Sequence, residues 1–580
     1  MSPQRNRFAD DAPAIDGRVR LDGLASQALH TGCHRLMFGA VLFALAFFIV
    51  GLRLVDVVLL NDGFEPRLAR AAPTQHAQLG RRDIVDRNGV LLATNLPTAS
   101  LFADPARVLD AGEAAGRLVR VLPEMSRAEI LDKLTSPRRF VWLKRNLTPR
   151  QQDAINRLGL PGIAFQREER RVYPLGALFS HVVGFADIDG RGIAGVEKSF
   201  DETLRAAAEG EAAPLRLSLD TRVQHALREE LARGMATFDA AGAAGVVLDA
   251  TNGAVLAMVS LPDFDPNRSR DGRQAARFNR ATLGAYEMGS TFKVFTTAMA
   301  LDAGVVTLRD GYDASQPIHV ARFVIHDYKP ANRWLSVPEI FVRSSNIGAA
   351  KMALDIGTRR QREYLSHLGL LSPAEIELPE VTAPILPSPW REINTMTIAY
   401  GHGLAVSPLQ LTSAVAAVVN GGVFYPPTLV RRSSAEPSLG WRVIEPDTST
   451  RMRALMHLVV ARGTGKKAAV PGYLVGGKTG TAEKPGRGGY RRKSLISSFV
   501  AAFPIDAPRF VVFAMLDEPR GTKKTHNYAT GGWTAAPIVG RVIARLGPME
   551  GLAARGDDAE DPAEARLVKI AGREGAGVAF

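Results

Sequence analysis

Three short stretches of this 580-residue chain hold residue types that could do covalent chemistry together. The first is Ser290-Thr291-Phe292-Lys293, which runs into the apolar segment Val294 to Leu301 and stops at Gly304. The pattern reads as a helix opening near Gly289 or Ser290 and ending at that glycine. Positions three apart share a helix face, so the Ser290 hydroxyl and the Lys293 amine lie one turn apart. A serine needs a base to become a nucleophile at neutral pH, and a desolvated lysine can serve. Ser-x-x-Lys alone is weak evidence, because the spacing arises by chance on many solvated helices. The second stretch is Ser344-Ser345-Asn346, where one helical pattern, Val337 to Val342, gives way to another, Ile347 to Leu354. Serine and asparagine cap helix N-termini, and standing alone the triplet reads as a cap. The third is Lys478-Thr479-Gly480-Thr481, on a strand read over Tyr473 to Lys484.

In this order the three motifs are far more specific than any one of them. They form the S-x-x-K, S-x-N and K-T-G set of β-lactamases and penicillin-binding proteins. The chain resembles a class B penicillin-binding protein, a membrane-anchored D,D-transpeptidase that cross-links peptidoglycan. Ser-x-Asn and Lys-Thr-Gly, with a modest pedestal, look more like the septal FtsI family than its elongation-type relatives. The resemblance spans roughly residues 80–546 and extends to Arg170-Arg171-Val172-Tyr173-Pro174, Gly195-Val196-Glu197-Lys198 and Tyr400-Gly401-His402-Gly403. Met288 departs from it, standing where the family has proline before Gly-Ser.

The resemblance implies an α+β penicillin-binding transpeptidase fold. Its parts are an antiparallel five-stranded sheet flanked by helices, an all-helical subdomain, a β-rich N-terminal pedestal and one transmembrane helix. It implies Ser290 as nucleophile, Lys293 as base, Ser344 as proton relay and Asn346 as holder of the substrate amide and of Lys293. Lys478, Thr479, Gly480 and Thr481 would bind the terminal carboxylate and complete the oxyanion hole, with backbone N–H groups of Ser290 and Thr481. The partners implied are peptidoglycan stem peptides, β-lactams, the membrane, an FtsW-type lipid-II polymerase and other divisome proteins. No cofactor or metal is expected. Three other readings stay open: an elongation-type transpeptidase, a D,D-carboxypeptidase or β-lactamase-like hydrolase, and a non-catalytic scaffold or β-lactam sensor.

The elements that must position these residues follow from pattern. Residues 1–35 read as a polar cytoplasmic tail. Residues 36–58 read as an anchor in the inner membrane: Leu36 to Leu52 is unbroken apolar sequence, at the short end for a span. Arginines before the run place the N-terminus in the cytoplasm and the rest in the periplasm. Residues 59–214 read as the pedestal, 215–548 as the transpeptidase domain and 549–580 as a disordered tail. Asn88-Gly89 and Thr251-Asn252-Gly253 between apolar runs signal hairpins. Residues 105–160 read as short helices, and Pro485 to Lys493 as a basic, glycine-rich loop. Pedestal arginines and glutamates read as buried ion pairs holding that domain.

The net charge of +13 is spread along the chain without a basic stripe interleaved with aromatics, so nucleic acid is not expected. The single cysteine, Cys33, cannot form an intramolecular disulfide. Gly472 to Thr479 matches the Walker A pattern, but Pro485 and Gly486 follow where a phosphate-binding helix would have to run, so nucleotide binding is rejected. His402 reads as structural.

Overall fold

The computed structural model describes residues 23–55, 80–206, 213–268, 274–320, 323–432, 439–486 and 489–555. Residues 1–22 of the expected 1–35 tail, the connector up to residue 79 and residues 556–580 of the expected C-terminal tail lie outside these. The chain divides into two compact units, Met1–Gln78 and Leu79–Phe580.

In the first unit Gly23–Val55 is one helix. Its described side chains are apolar and exposed, with Leu36 at 77% and Phe38 at 73%. Among the described residues no helix is long and apolar enough to cross a membrane. The anchor read over 36–58 reaches past Val55, the last described residue of this helix.

The second unit begins with a hairpin at Asn88-Gly89, as expected. Asp86 Oδ1 accepts from the backbone N–H groups of Asn88 and Val90, which fixes the turn. Ile84–Val85 then pairs antiparallel with Leu91–Ala103. That long strand also pairs with Val141–Leu147 and Ile163–Val172. The first of these corrects the all-helical reading of 105–160: helices Ala111–Val121, Arg127–Leu134 and Pro149–Asn156 are interrupted by a strand. Glu197 is fully buried against Arg81 and Arg171, and Arg81 also reaches Asp201, so the pedestal charges are paired as expected. The short strand Leu215–Arg216 returns to pair in parallel with Ile84–Val85.

The central sheet is built from β1 (Gly242–Asp249), β2 (Val255–Leu261), β3 (Gly476–Gly486), β4 (Gly489–Phe503) and β5 (Phe510–Asp517). It is antiparallel throughout, in the order β3-β4-β5-β1-β2. The Thr251-Asn252-Gly253 turn joins β1 to β2. Strand side chains alternate between faces. Val246, Leu248, Phe513 and Met515 join one core, and Val247, Val512, Ala514 and Leu516 the other. Helices α1 (Thr221–Thr237) and α7 (Ala535–Met549) cover the second face. The first face packs on α2 (Lys293–Asp302), α5 (Pro408–Val419) and α6 (Pro446–Ala461), with the pair α3 (Val337–Arg343) and α4 (Asn346–Ile356) beyond. The α+β architecture, the five-stranded antiparallel sheet and the helical subdomain accord with expectation, apart from small two-stranded sheets inserted among the helices.

The Walker-like segment holds no phosphate loop. β3 runs through Lys478 and Thr479 with no helix after it. Pro485 to Lys493 is likewise not a loop throughout: Lys484, Pro485 and Gly486 pair with Arg491, Tyr490 and Gly489, so the strands run on toward the tip.

Candidate active site

Met288 to Phe292 forms the turn that carries the serine. Gly289–Phe292 is 3-10 and passes directly into α2 at Lys293. The turn closes with methionine in place of proline: the Thr291 hydroxyl donates to the Met288 carbonyl at 2.9 Å, and the Met288 side chain is buried. β3 lies against one side of this turn, where a Cβ added at Gly480 would come within 2.6 Å of the Met288 carbonyl oxygen. On the other side the Gly289 N–H donates to the Gly401 carbonyl at 3.1 Å. Gly401 sits at φ +85°, and a side chain there would run into the Gly289 backbone.

Ser344 is presented by a break between two helices. α3 begins with a capping box at Ser336 and Glu339 and ends at Arg343. Ser344 itself adopts φ +64°, the left-handed region that a non-glycine residue avoids without compensation. Ser345 then caps α4, accepting from the Gly348 N–H. The capping role read for the triplet therefore belongs to Ser345, which frees Ser344 and Asn346 to face the lysines.

These elements bring Ser290, Lys293, Ser344, Asn346 and Lys478 together. Lys293 Nζ lies 2.8 Å from Ser290 Oγ, 2.9 Å from the Ser344 carbonyl, 3.1 Å from Ser344 Oγ and 2.7 Å from Asn346 Oδ1. Lys478 Nζ lies 3.0 Å from the same Ser344 Oγ. Both lysines are buried, at 1% and 0% exposure. Burial, then the neighbouring Lys478 charge, hold the Lys293 amine well below the usual lysine range, with Asp327 opposing. Burial alone brings Lys478 down to about 7. A neutral amine has two N–H donors and one lone pair. Two carbonyl oxygens, of Ser344 and Asn346, can only accept, so they take both donors and leave the lone pair for the Ser290 hydroxyl. That is the arrangement of a general base and its nucleophile.

Thr479 Oγ1 lies 2.8 Å from Thr464 Oγ1, and Thr481 Oγ1 accepts from the Gly531 N–H at 3.1 Å. Sequence reasoning missed Thr464 and Gly531, which sit in glycine-rich connections with no motif of their own. It also missed Asp327. This buried carboxylate accepts from the Ser345 hydroxyl at 2.7 Å and from the N–H groups of Asn346 and Ile347 at 2.5 and 3.0 Å. Asp327 locks the second motif from a loop eighteen or more positions upstream, a link visible only in three dimensions. The His402 ring packs between Tyr400 and Tyr490, and burial lowers its pKa to about 4. Among the described residues no group of His, Cys, Asp or Glu is arranged to hold a metal ion.

Residues 243–544 match the model of the penicillin-binding protein transpeptidase domain, and residues 77–214 that of the penicillin-binding protein dimerisation domain. The chain is 41% identical over 508 residues to a probable peptidoglycan D,D-transpeptidase FtsI of Caulobacter vibrioides, covering 85% of this chain and 86% of that protein. It is 30% identical over 543 residues to peptidoglycan D,D-transpeptidase FtsI of Escherichia coli K12, covering 88% and 90%. Among solved structures, penicillin-binding protein 3 of Mycobacterium tuberculosis complexed with aztreonam shares the fold with a TM-score of 0.65 at 24% identity, over 83% of this chain and 98% of that one.

Proposed function

The chain belongs to the class B penicillin-binding transpeptidases, and from that membership we propose that it is a septal peptidoglycan D,D-transpeptidase working through a serine acyl-enzyme. The observation that carries the reading is the buried Lys293 amine 2.8 Å from Ser290 Oγ, with its donors occupied by carbonyl oxygens. Ser290 Oγ attacks the carbonyl between the two terminal D-alanines of a stem peptide as Lys293 takes its proton. The C–N bond breaks, and the leaving D-alanine amine receives a proton through Ser344, which both lysines touch. Lys478 and Thr479 hold the terminal carboxylate, a task that suits a cation and a hydroxyl donor. The N–H groups of Ser290 and Thr481 stabilise the oxyanion. In support, a Cβ at Gly289 would lie 3.1 Å from the Thr481 nitrogen, so the two amides are neighbours. An amine of a second stem then attacks the acyl-enzyme, releasing Ser290 and closing the cross-link. A β-lactam acylates the same serine and stays.

The helix Gly23–Val55 and its exposed apolar stretch support a seat at the inner membrane, with the second unit in the periplasm. The likeness to FtsI proteins supports an FtsW-type polymerase and other divisome proteins as partners.

The test is a fluorescent penicillin applied to membranes carrying the full chain, beside Ser290→Ala, and followed in time. A stable label that depends on Ser290 is expected. A label lost within minutes would make the enzyme a hydrolase, and no label on folded protein would remove Ser290 as nucleophile.

A further inference from the structure

The β3–β4 hairpin outruns the sheet that supports it. β5 pairs with β4 only over Ile496 to Phe503, whereas β3 and β4 continue together to Gly486 and Gly489. A shift of register between Glu483 and Lys484 adds a kink where the overhang starts. An isolated two-stranded ribbon is marginally stable in water, so the sheet alone does not fix where this end sits. Lys484 Nζ ties its base to Asp517 and Glu518 at 2.8 and 2.7 Å. A second tie is made nearer the tip, by Glu287.

Glu287 lies on the short strand Tyr286–Glu287 leading into the nucleophile turn, paired with Ala405–Val406. Its carboxylate takes part in none of the acyl-transfer steps. Oε1 accepts from the Gly403 N–H at 2.9 Å and from the Tyr490 hydroxyl at 3.1 Å. Oε2 is buried without a protein partner. Gly403 belongs to the turn that carries Gly401 against Gly289, and Tyr490 stands opposite Pro485 on the overhanging hairpin. The His402 ring meets Tyr490 edge-on at 5.5 Å and fills the space beside the tie. Burial raises the Glu287 carboxyl pKa, with Gly403 and Tyr490 pulling it back. A half-satisfied buried carboxylate costs stability, and such a cost persists at sites where it serves a purpose.

We propose that Glu287 is a positioning residue for acyl transfer, clasping the β3–β4 hairpin through Tyr490 to the Gly401–Gly403 turn and so setting the width of the cleft where β3 leaves the supported sheet beyond Thr481, beside the Ser290 turn. The clasp acts on geometry alone: Glu287 touches neither substrate nor reacting atoms. It rests on the serine acyl-enzyme reading, because acylation is what the width of the cleft controls.

The experiment measures the second-order rate of labelling by fluorescent penicillin for the full chain, Glu287→Gln, Tyr490→Phe and the double variant, with thermal unfolding of each followed in parallel. Misplacing reacting groups by an ångström costs on the order of 100-fold, so a partial loss of positioning should slow each single variant roughly ten-fold. The double variant should be no slower than the slower single, since both remove one clasp. Tyr490→Phe deletes one hydroxyl from a half-exposed side chain and keeps the fold testable if Glu287→Gln does not. Tyr490→Phe acylating at the parent rate would overturn the proposal. So would slowdowns that multiply, or that merely track a lowered unfolding temperature. A parent protein with no Ser290-dependent label would instead overturn the transpeptidase reading.

Discussion

Lys293 and Lys478 pose an electrostatic problem that the site turns to use. Two ammonium groups sharing the Ser344 hydroxyl, at 3.1 and 3.0 Å, cannot both stay charged cheaply. Two unit charges about 5 Å apart repel by roughly 3 kcal/mol at an effective dielectric near 20. Burial, then the Lys478 charge, hold the Lys293 amine well below the usual lysine range, which favours its free-base form. Lys478, brought to about 7, is protonated below that pH and neutral above it. Base function needs Lys293 unprotonated, so acylation rises with pH through the Lys293 titration. Carboxylate binding needs Lys478 charged, so acylation falls as pH climbs through about 7. The second-order penicillin acylation rate should therefore be bell-shaped, its limbs reporting the pair and not either residue alone. A rate that stays flat up to about pH 9 would contradict this assignment of charge. The same depression has a stability sign. The unfolded chain binds protons that the folded site excludes, so stability rises with pH toward the ordinary lysine value. At this scale the sequence was informative where a motif is local: Ser290 and Lys293 share one turn, and their pairing could be read from spacing. Asp327 could not, because a carboxylate that caps a distant turn carries no spacing signal.

Element boundaries were legible where turns have strong chemistry. Asn88-Gly89 and Thr251-Asn252-Gly253 gave both hairpins, and Gly304 gave the end of α2. The misses have a common cause. Val141–Leu147 and Ile163–Val172 carry several charged side chains, so the apolar alternation that marks a strand is diluted, although the backbone of the first still completes the pedestal sheet. Pro485 to Lys493 reads as loop by composition, yet its ends are held in register by the strands that enter them. Glycines separate packing from conformation at this level. Gly304 is at φ +66° with open space around it, so alanine there should cost only the left-handed penalty of about 1–2 kcal/mol. Acylation should be unchanged. Gly401 is at φ +85° and lies against the nucleophile turn, so alanine must push Gly289 and with it Ser290. Gly401→Ala should lose at least about ten-fold in acylation rate, with Gly304→Ala as control for the conformational cost. Equal effects from the two would mean that the contact at Gly401 does not position the serine.

Within the second unit, the pedestal and the catalytic sheet share one apolar core. Ile84, Leu92, Tyr173 and Val182 from the pedestal join the same cluster as Val246, Phe292 and Leu411. Leu215–Arg216 pairs with the pedestal strand Ile84–Val85, and the Gly195 N–H donates to Glu380 at 3.2 Å from both carboxylate oxygens. A continuous core predicts that the described residues of the second unit unfold as one cooperative body and that damage in the pedestal is felt at Ser290. Glu197 offers the sharpest test. It is fully buried, it binds Arg81 and Arg171, and its Oε1 also accepts from the Tyr173 hydroxyl at 3.4 Å. Removing Glu197 takes the carboxylate from Arg171 and leaves Arg81 with Asp201 alone, and breaking such a buried pair typically costs about 3–5 kcal/mol out of the roughly 5–15 kcal/mol that holds a domain folded. Glu197→Ala should therefore lower the midpoint of denaturation measured by loss of penicillin labelling as much as the midpoint measured by loss of secondary structure, although no atom of Glu197 touches the active site. If labelling survived to the parent midpoint while pedestal structure melted early, the two halves would be folding independently. The shared core would then be two cores in contact, and the pedestal a tether with no part in holding the catalytic geometry.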